Sequence, residues 1–236
     1  MMTAACRHPY DQGRLASCRG ASLRPGGERL TRRLIELAGL PRGARVLDLC
    51  CGQGDGTALL SAAGCHALGL DADREALVLA RRHHPDPDWL LADASCVPLT
   101  AASMDGVLAE CCLSLQRDRA GVLGECRRLL PRGAPLAVTD VCRRAALPEA
   151  AAALPDCMAR MPTPDGLRQE IEQAGFVVER MEDHSDVLKA FVAKLVFSTG
   201  SLNALWSPAD GTSADAGVET LRQVRPGYFL FLARAG

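Results

Sequence analysis

The chain has 236 residues, 48% hydrophobic and 23% charged, which excludes gross disorder and fibrous or collagen-like architectures. Its 27 basic and 28 acidic residues leave a net charge of -1, and aromatics make up only 4%, so neither a basic nucleic-acid surface nor a base-stacking platform is expected. At a soft ~150 residues per domain the length allows one large domain or two small ones.

The N-terminal segment MMTAACRHPYDQGR has no apolar stretch of the secretory kind, and no run approaches the ~18 apolar residues of a membrane span. A cytoplasmic, reduced protein with no membrane partner is the expectation. Glu28–Leu40 patterns as a short amphipathic helix. From residue 44 onward strands and helices alternate. Ala44–Leu49 reads as a buried strand, Gly54–Ala63 as a helix, His66–Leu70 as a strand and Asp73–His83 as a helix. Trp89–Ala92 is a third strand, Met104–Leu108 continuing through Cys112 a fourth, Gly121–Leu130 a helix and Pro135–Thr139 a fifth strand. Such alternation implies right-handed βαβ units, hence an α/β fold with an open parallel sheet covered on both faces.

Beyond Asp140 an Ala-rich stretch carries Cys157, and Thr163 caps a helix running to Ala174. Phe176–Met181 patterns as a strand, and His184–Ser198 as a helix with one broad apolar stripe, read as core or as the face that pairs two copies. Residues 207–217 read as a loop and Tyr228–Ala233 as a closing strand. The resulting plan is an N-terminal arm and helix over residues 1–40 and one α/β domain over residues 41–236, with 183–226 inserted before the last strand.

The informative segment is Val46-Leu47-Asp48-Leu49-Cys50-Cys51-Gly52-Gln53-Gly54-Asp55-Gly56, a strand that ends in a glycine-rich turn opening a helix. That is the geometry of a nucleotide-type cofactor site at the carboxyl edge of a sheet. From Gly52 and Gly54 the third position of a dinucleotide fingerprint falls on Thr57, so the fingerprint is incomplete. Charge is more telling. Asp48 leads into the loop and Asp55 sits inside it, where carboxylates repel a pyrophosphate and favour a cation. S-adenosylmethionine has no phosphate and carries a sulfonium and an ammonium, so the sign fits. The next strands end in Asp71 and Asp93, 23 and 22 residues apart in series with Asp48. Asp71 suits the two ribose hydroxyls, and Asp93 the adenine amino group. Each Asp alone is as readily a cap or turn residue; three successive strand ends are harder to dismiss.

The ordered segments VLDLCCGQG, GLDAD, LLADASCVPL, SMDGVLAECCLSL and RRLLPRGAPLAVTDV resemble the motif series of class I S-adenosylmethionine-dependent methyltransferases across roughly residues 28–182. The resemblance implies a Rossmann-like, seven-stranded, mostly parallel sheet with an antiparallel last strand, supplied here by Tyr228–Ala233 beside Phe176–Met181. It also implies that Asp48, Cys50, Gly52 and Gly54 line the methionine end of the cofactor, Asp71 with Ala72 the ribose, Asp93 with Ala94 the adenine, and that Glu110 borders the site. Cys50 stands where the family carries glycine, which is tolerable if its φ is negative.

The edge of the fourth strand, Ala109 to Leu115, faces the transferring methyl in that family. The nearest look is to arsenite methyltransferase-like proteins, which have an Asn-Cys pair here and a further Cys before the sixth strand. In this chain those positions hold Glu110-Cys111 and Cys157. Arsenite enzymes use several thiolates, whereas the helix after the glycine loop has Thr57 and no Cys follows Cys157. The expectation is therefore a methyltransferase acting on a small-molecule acceptor, with an arsenite (As(III)) methyltransferase or metalloid-binding protein using Cys111 and Cys157 as the alternative. Glu110, Cys111 and Cys157 are the candidate catalytic residues. Glu110 is read as a base, as a ligand for a cationic acceptor, or as a solvated strand-end carboxylate, and Asp140 is similarly placed. Tyr10 and Arg24–Gly27 precede the first helix, where relatives fold an arm over the cofactor.

There are eleven Cys, an odd number, with no C-x-x-C, so neither a zinc ribbon nor a thioredoxin-like site is supported and no metal site is expected. Apart from the vicinal pairs Cys50-Cys51 and Cys111-Cys112 they are scattered, and a free Cys reads first as a small buried hydrophobe.

Overall fold

The segment Arg45–Leu49 is exposed only at its first residue, and a five-residue run buried on both faces is stable only as an inner strand of a covered sheet. The computed structural model describes residues 24–147, 160–200, 219 and 221–236, and shows this run as β1. The elements are α1 (Gly27–Ala38), β1 (Arg45–Leu49), α2 (Asp55–Ala62), β2 (His66–Asp71), α3 (Arg74–His83), β3 (Asp88–Leu91), β4 (Gly106–Glu110), α4 (Arg119–Leu129), β5 (Pro135–Arg143), α5 (Pro164–Gln173), β6 (Phe176–Asp183), α6 (Ser185–Thr199) and β7 (Pro226–Ala235). A short 3₁₀ turn, Leu113–Leu115, follows β4.

Seven strands form one sheet in the order β3-β2-β1-β4-β5-β7-β6. The pairs among β1 to β5 are parallel, whereas β7 runs antiparallel to both β5 and β6. The chain winds one way from β1 to β3 and the other way from β4, so the crevice at the carboxyl ends of β1 and β4 is the topological switch point.

Each face of the sheet buries its own cluster. On one, Leu30, Leu34 and Ala38 of α1 pack with Val46, Leu60, Leu108, Ala137 and Leu230. On the other, Leu47, Leu49, Val107 and Ala109 pack with Val122, Cys126 and Leu129 of α4 and with Leu167 and Ile171 of α5. The α1 helix is thus built into the sheet's core. Thr163 accepts the Gly166 N–H and caps α5, as expected, and Asp73 caps α3 through the N–H groups of Glu75 and Ala76.

Two boundaries near the site, and the burial of one helix, differ from expectation. β4 ends at Glu110, because Cys111 takes φ 52°, which turns the backbone out of the extended ladder. β5 continues to Arg143, because β7 pairs with it along its whole length, from Pro135 opposite Arg234 to Arg143 opposite Pro226. Asp140 therefore lies within a strand and not at its end. The apolar stripe of the helix after β6 is core mainly in its first turn: Val187 is buried, but Phe197 is 95% exposed. Tyr10, Cys157 and the 207–217 loop lie outside the described residues. No helix among the described residues is long and apolar enough to cross a membrane.

Candidate active site

Four carboxylates stand at the carboxyl edge of the sheet, and they are held in two ways. Asp71, closing β2, accepts the Gly52 N–H on one oxygen (2.8 Å) and the Asp73 N–H on the other (2.9 Å). Burial raises its pKa against those backbone bonds. Asp93, after β3, accepts both the N–H (2.8 Å) and the hydroxyl (2.7 Å) of Ser95, which lower its pKa. Ala72, beside Asp71, is exposed, and Ala94, beside Asp93, is buried.

Asp48 and Glu110 are held by distant side chains. Asp48 is 3% exposed and accepts the Thr57 hydroxyl at 2.7 Å. Burial, reinforced by Glu110 and opposed by Thr57 and Arg24, pushes its pKa up to about 7. The Glu110 side chain is 7% exposed, 3.1 Å from the Arg24 guanidinium, and both of its oxygens are 3.0 Å from the Thr31 hydroxyl. Burial raises its carboxyl too, with Arg24 and Thr31 opposing. Glu110 is thus no solvated strand-end carboxylate but one half of a buried ion pair. Gly56 lies between the two acids: a Cβ there would come 2.8 Å from Asp48 Oδ2 and 3.3 Å from Glu110 Oε2. Arg24 also reaches Asp55 at 3.5 Å and donates to Thr31. Burial opposes the charge on Arg24, but Glu110, Asp48 and Asp55 outweigh it and raise its pKa.

The glycine loop is shaped by its neighbours. Gly54 has φ 85°, and a Cβ there would fall 2.2 Å from the Trp89 ring; a Cβ on Gly69 would fall 2.6 Å from the same ring. These two glycines make room for Trp89 of β3. Gly52, at φ 54°, meets nothing within 4 Å, so open space lies beside the loop. The Cys51 N–H donates to the Leu70 carbonyl, tying the loop to β2.

Cys50 has φ 58°. The condition of a negative φ is therefore not met: the backbone here has the left-handed shape that glycine takes freely and that costs an L-residue roughly 1–2 kcal/mol. Its Sγ lies 2.7 Å from Cys112 Sγ. Cys111 also has a positive φ, and its Sγ lies 3.0 Å from the Tyr228 hydroxyl, which in turn donates to Thr139. Burial and the nearby Asp140 push the Cys111 thiol well up. The left-handed turn breaks the alternation of β4, so Cys111 packs on the α1 face with Leu108, and Cys112 on the α4 face with Ala109. Asp140 is fully buried and accepts the N–H and hydroxyl of Ser114, anchoring the 3₁₀ turn. Among the described residues no group of three His, Cys, Asp or Glu side chains is arranged to hold a metal ion.

Thr31 escaped the sequence reading, Thr57 and Tyr228 entered it with no role at the site, and Arg24 entered it only as part of an arm. A signal existed for Thr31, a polar residue within the apolar stripe Leu30, Leu34, Ala38 of α1. None existed for the pairing of Arg24 with Glu110, which are 86 positions apart.

Comparison with known proteins identifies the family. Residues 46–133 match a family described as a methyltransferase domain. An O-methyltransferase of Aspergillus nomiae is 30% identical over 67% of this chain and 76% of its own length. A 2-phytyl-1,4-naphtoquinone methyltransferase of Thermosynechococcus vestitus is 37% identical over 43% of this chain, which spans about half of that protein (48%). Phosphoethanolamine N-methyltransferase 2 of Haemonchus contortus, solved with S-adenosyl-L-methionine, shares the fold with a TM-score of 0.75 at 16% identity, over 94% of this chain and 56% of that one. The chain belongs to the S-adenosylmethionine-dependent methyltransferases, of class I architecture.

Proposed function

We propose that this enzyme methylates a small-molecule acceptor at the carboxyl edge of β1 and β4. The observation that carries the reading is the cluster of Asp48, Asp55 and Glu110 around a single guanidinium, Arg24. Three acids against one base leave a negative surplus, which suits a ligand with a sulfonium and an ammonium and disfavours one with a pyrophosphate. The open space beside Gly52 gives such a ligand room next to the loop. In this reading Asp48, Cys50, Gly52 and Gly54 border the methionine end. Asp71 takes the ribose hydroxyls, each oxygen having a lone pair left beyond its backbone bond. Ala72 lies beside Asp71 at the ribose, and Asp93 and Ala94 border the adenine.

S-adenosylmethionine supplies a methyl group already activated as a leaving electrophile, so the chain's own work is positioning and exclusion of water. Glu110, committed to Arg24 and Thr31, is a poor free base; its proposed part is to hold Arg24, and with it the start of α1, against the site. Cys111, hydrogen-bonded to Tyr228 and raised in pKa, supports packing better than thiolate chemistry. The arsenite reading is therefore not favoured, and its second thiol, Cys157, lies outside the described residues. A cytoplasmic location, the absence of nucleic-acid and membrane partners, and pairing of two copies through α6 belong to the same proposal, the last supported by exposed Phe197.

The test is release of S-adenosylhomocysteine across a panel of small phenols, quinols, amines, thiols and arsenite. Turnover with one organic class is expected. Turnover confined to arsenite, or to a protein or nucleic-acid acceptor, would overturn the small-molecule reading.

A further inference from the structure

Two of the eleven cysteines meet at a contact to which the methyl-transfer reading gives no role. Cys50 Sγ and Cys112 Sγ are 2.7 Å apart, across the carboxyl ends of the neighbouring strands β1 and β4. The geometry points to a redox-active dithiol: we infer that Cys50 and Cys112 are reversibly oxidised to a disulfide by a hydroperoxide, and that this closure weakens cofactor binding at the glycine loop. The second half rests on the cofactor reading of that loop; the first does not.

Three features argue for chemistry and against mere packing. Cys50 keeps a side chain where the backbone, at φ 58°, would be relaxed with glycine, so the sulfur stands there at a conformational cost. The two thiols have different surroundings. Cys50 is only part-buried, and its sulfur accepts from the Cys112 thiol and from the Gln116 side-chain amide (3.5 Å). Cys112 is fully buried and is held protonated by the bond it donates to Cys50, with burial adding to the effect. A part-exposed thiol beside a fully buried one matches the division of labour between an attacking and a resolving cysteine. Finally, a disulfide bond is roughly 2.05 Å long, so closure draws the sulfurs together by less than about 1 Å.

The chemistry balances. The Cys50 thiolate attacks the terminal oxygen of the hydroperoxide, the O–O bond breaks, and an alcohol (water, from hydrogen peroxide) leaves, giving a sulfenic acid. The Cys112 sulfur then attacks the Cys50 sulfur, the S–O bond breaks, and the departing hydroxide takes the Cys112 proton as water. Two thiols lose two electrons to one peroxide, and a dithiol reductant returns them. Cys50 immediately precedes Cys51 and Gly52, whose N–H groups bind Leu70 and Asp71, so a pull on Cys50 displaces the loop against its β2 anchors. Sites of this kind tolerate only ~0.5 Å of misplacement.

The test treats the full chain with hydrogen peroxide. Tandem mass spectrometry then searches for a link between the Asp-N fragments 48–54 and 105–117, and S-adenosylmethionine titration by calorimetry compares reduced, oxidised and re-reduced protein. The expected results are a Cys50–Cys112 link with loss of two hydrogens, reversed by dithiothreitol, and at least a threefold weaker cofactor affinity only while it is closed. Before peroxide treatment Cys112→Ala and Cys112→Ser are expected to bind the cofactor as the reduced protein does; with peroxide they form no link and stop at a Cys50 sulfenic acid that dimedone traps. A link made instead through Cys51, Cys96, Cys111 or Cys126, or no link, would overturn the dithiol. A link with unchanged affinity would overturn its coupling to the loop. Absence of cofactor binding in the reduced protein would count against the cofactor reading and leave the fragment result standing by itself.

Discussion

Asp71 and Asp93 differ from Asp48 and Glu110 in who holds them. The first pair follow β2 and β3 and take their hydrogen bonds from turn residues close by in sequence or in the adjoining loop: Asp73, Gly52 and Ser95. The second pair, at β1 and β4, are buried and held by side chains of other elements: Thr57, Thr31 and Arg24. A carboxylate held mainly by the N–H groups of its own turn or the adjoining loop is preorganised by bonds that come with the local backbone. One that is buried among side chains depends on its partners for its charge, and losing a partner is expensive. The two halves of the site should therefore fail differently when mutated.

The largest effect is expected at Glu110. Glu110→Ala leaves Arg24, whose side chain is 14% exposed, without its main counter-ion. Removing one partner of a buried pair costs about 3–5 kcal/mol; because Asp55 and Thr31 remain as partners, the low end is expected in urea denaturation. A loss below ~1 kcal/mol would place this pair with ordinary surface ion pairs. Next comes Asp71→Ala, which removes a charged acceptor worth about 1.5–3 kcal/mol and so should weaken S-adenosylmethionine binding by at least about tenfold in calorimetry. Undiminished binding would overturn the ribose assignment.

Asp48 gives a pH signature whose window can be placed. Its folded pKa of about 7 is above the ordinary 3.8, so between these values the folded state holds a proton that the unfolded chain has released. The contribution of Asp48 to stability is complete below pH ~4 and is lost as pH rises toward ~7. Stability should therefore fall with pH across that window more steeply in the native chain than in Asp48→Asn. The ionised form favours a cationic ligand, so cofactor affinity should rise from pH 6 to 8, with proton release seen as a buffer-dependent binding enthalpy. A pH-independent affinity would remove Asp48 from the methionine end. The smallest effect is expected at Asp93: Asp93→Ala breaks only the local turn with Ser95, and its melting temperature should stay within the range of a change of ~0.5 kcal/mol or less.

The same contrast explains what could be read in advance. The strand–turn–helix rhythm, the order of the motifs, the acids after β1, β2 and β3, and the caps Asp73 and Thr163 are local. Each depends on a few adjacent residues whose backbone preferences and hydrogen-bonding reach are properties of the chain itself. Cys50 was legible as a departure from glycine, but its sign of φ was not, because the turn is imposed by β1 and by the bonds from Cys51 and Gly52 to β2. Nor could the reach of β5 be read, since its extra residues are extended by pairing with β7, more than 80 positions later.

By itself, then, the sequence determined the α/β architecture, the acidic charge of the loop and the acids at the sheet edge, because period, turn chemistry and charge are local. The tertiary structure alone decided that Glu110 is neutralised by Arg24, that Asp48 titrates near 7, that Cys111 faces Tyr228 and that Cys50 meets Cys112. Those outcomes depend on burial and on partners that only the packing of distant segments brings within hydrogen-bonding distance.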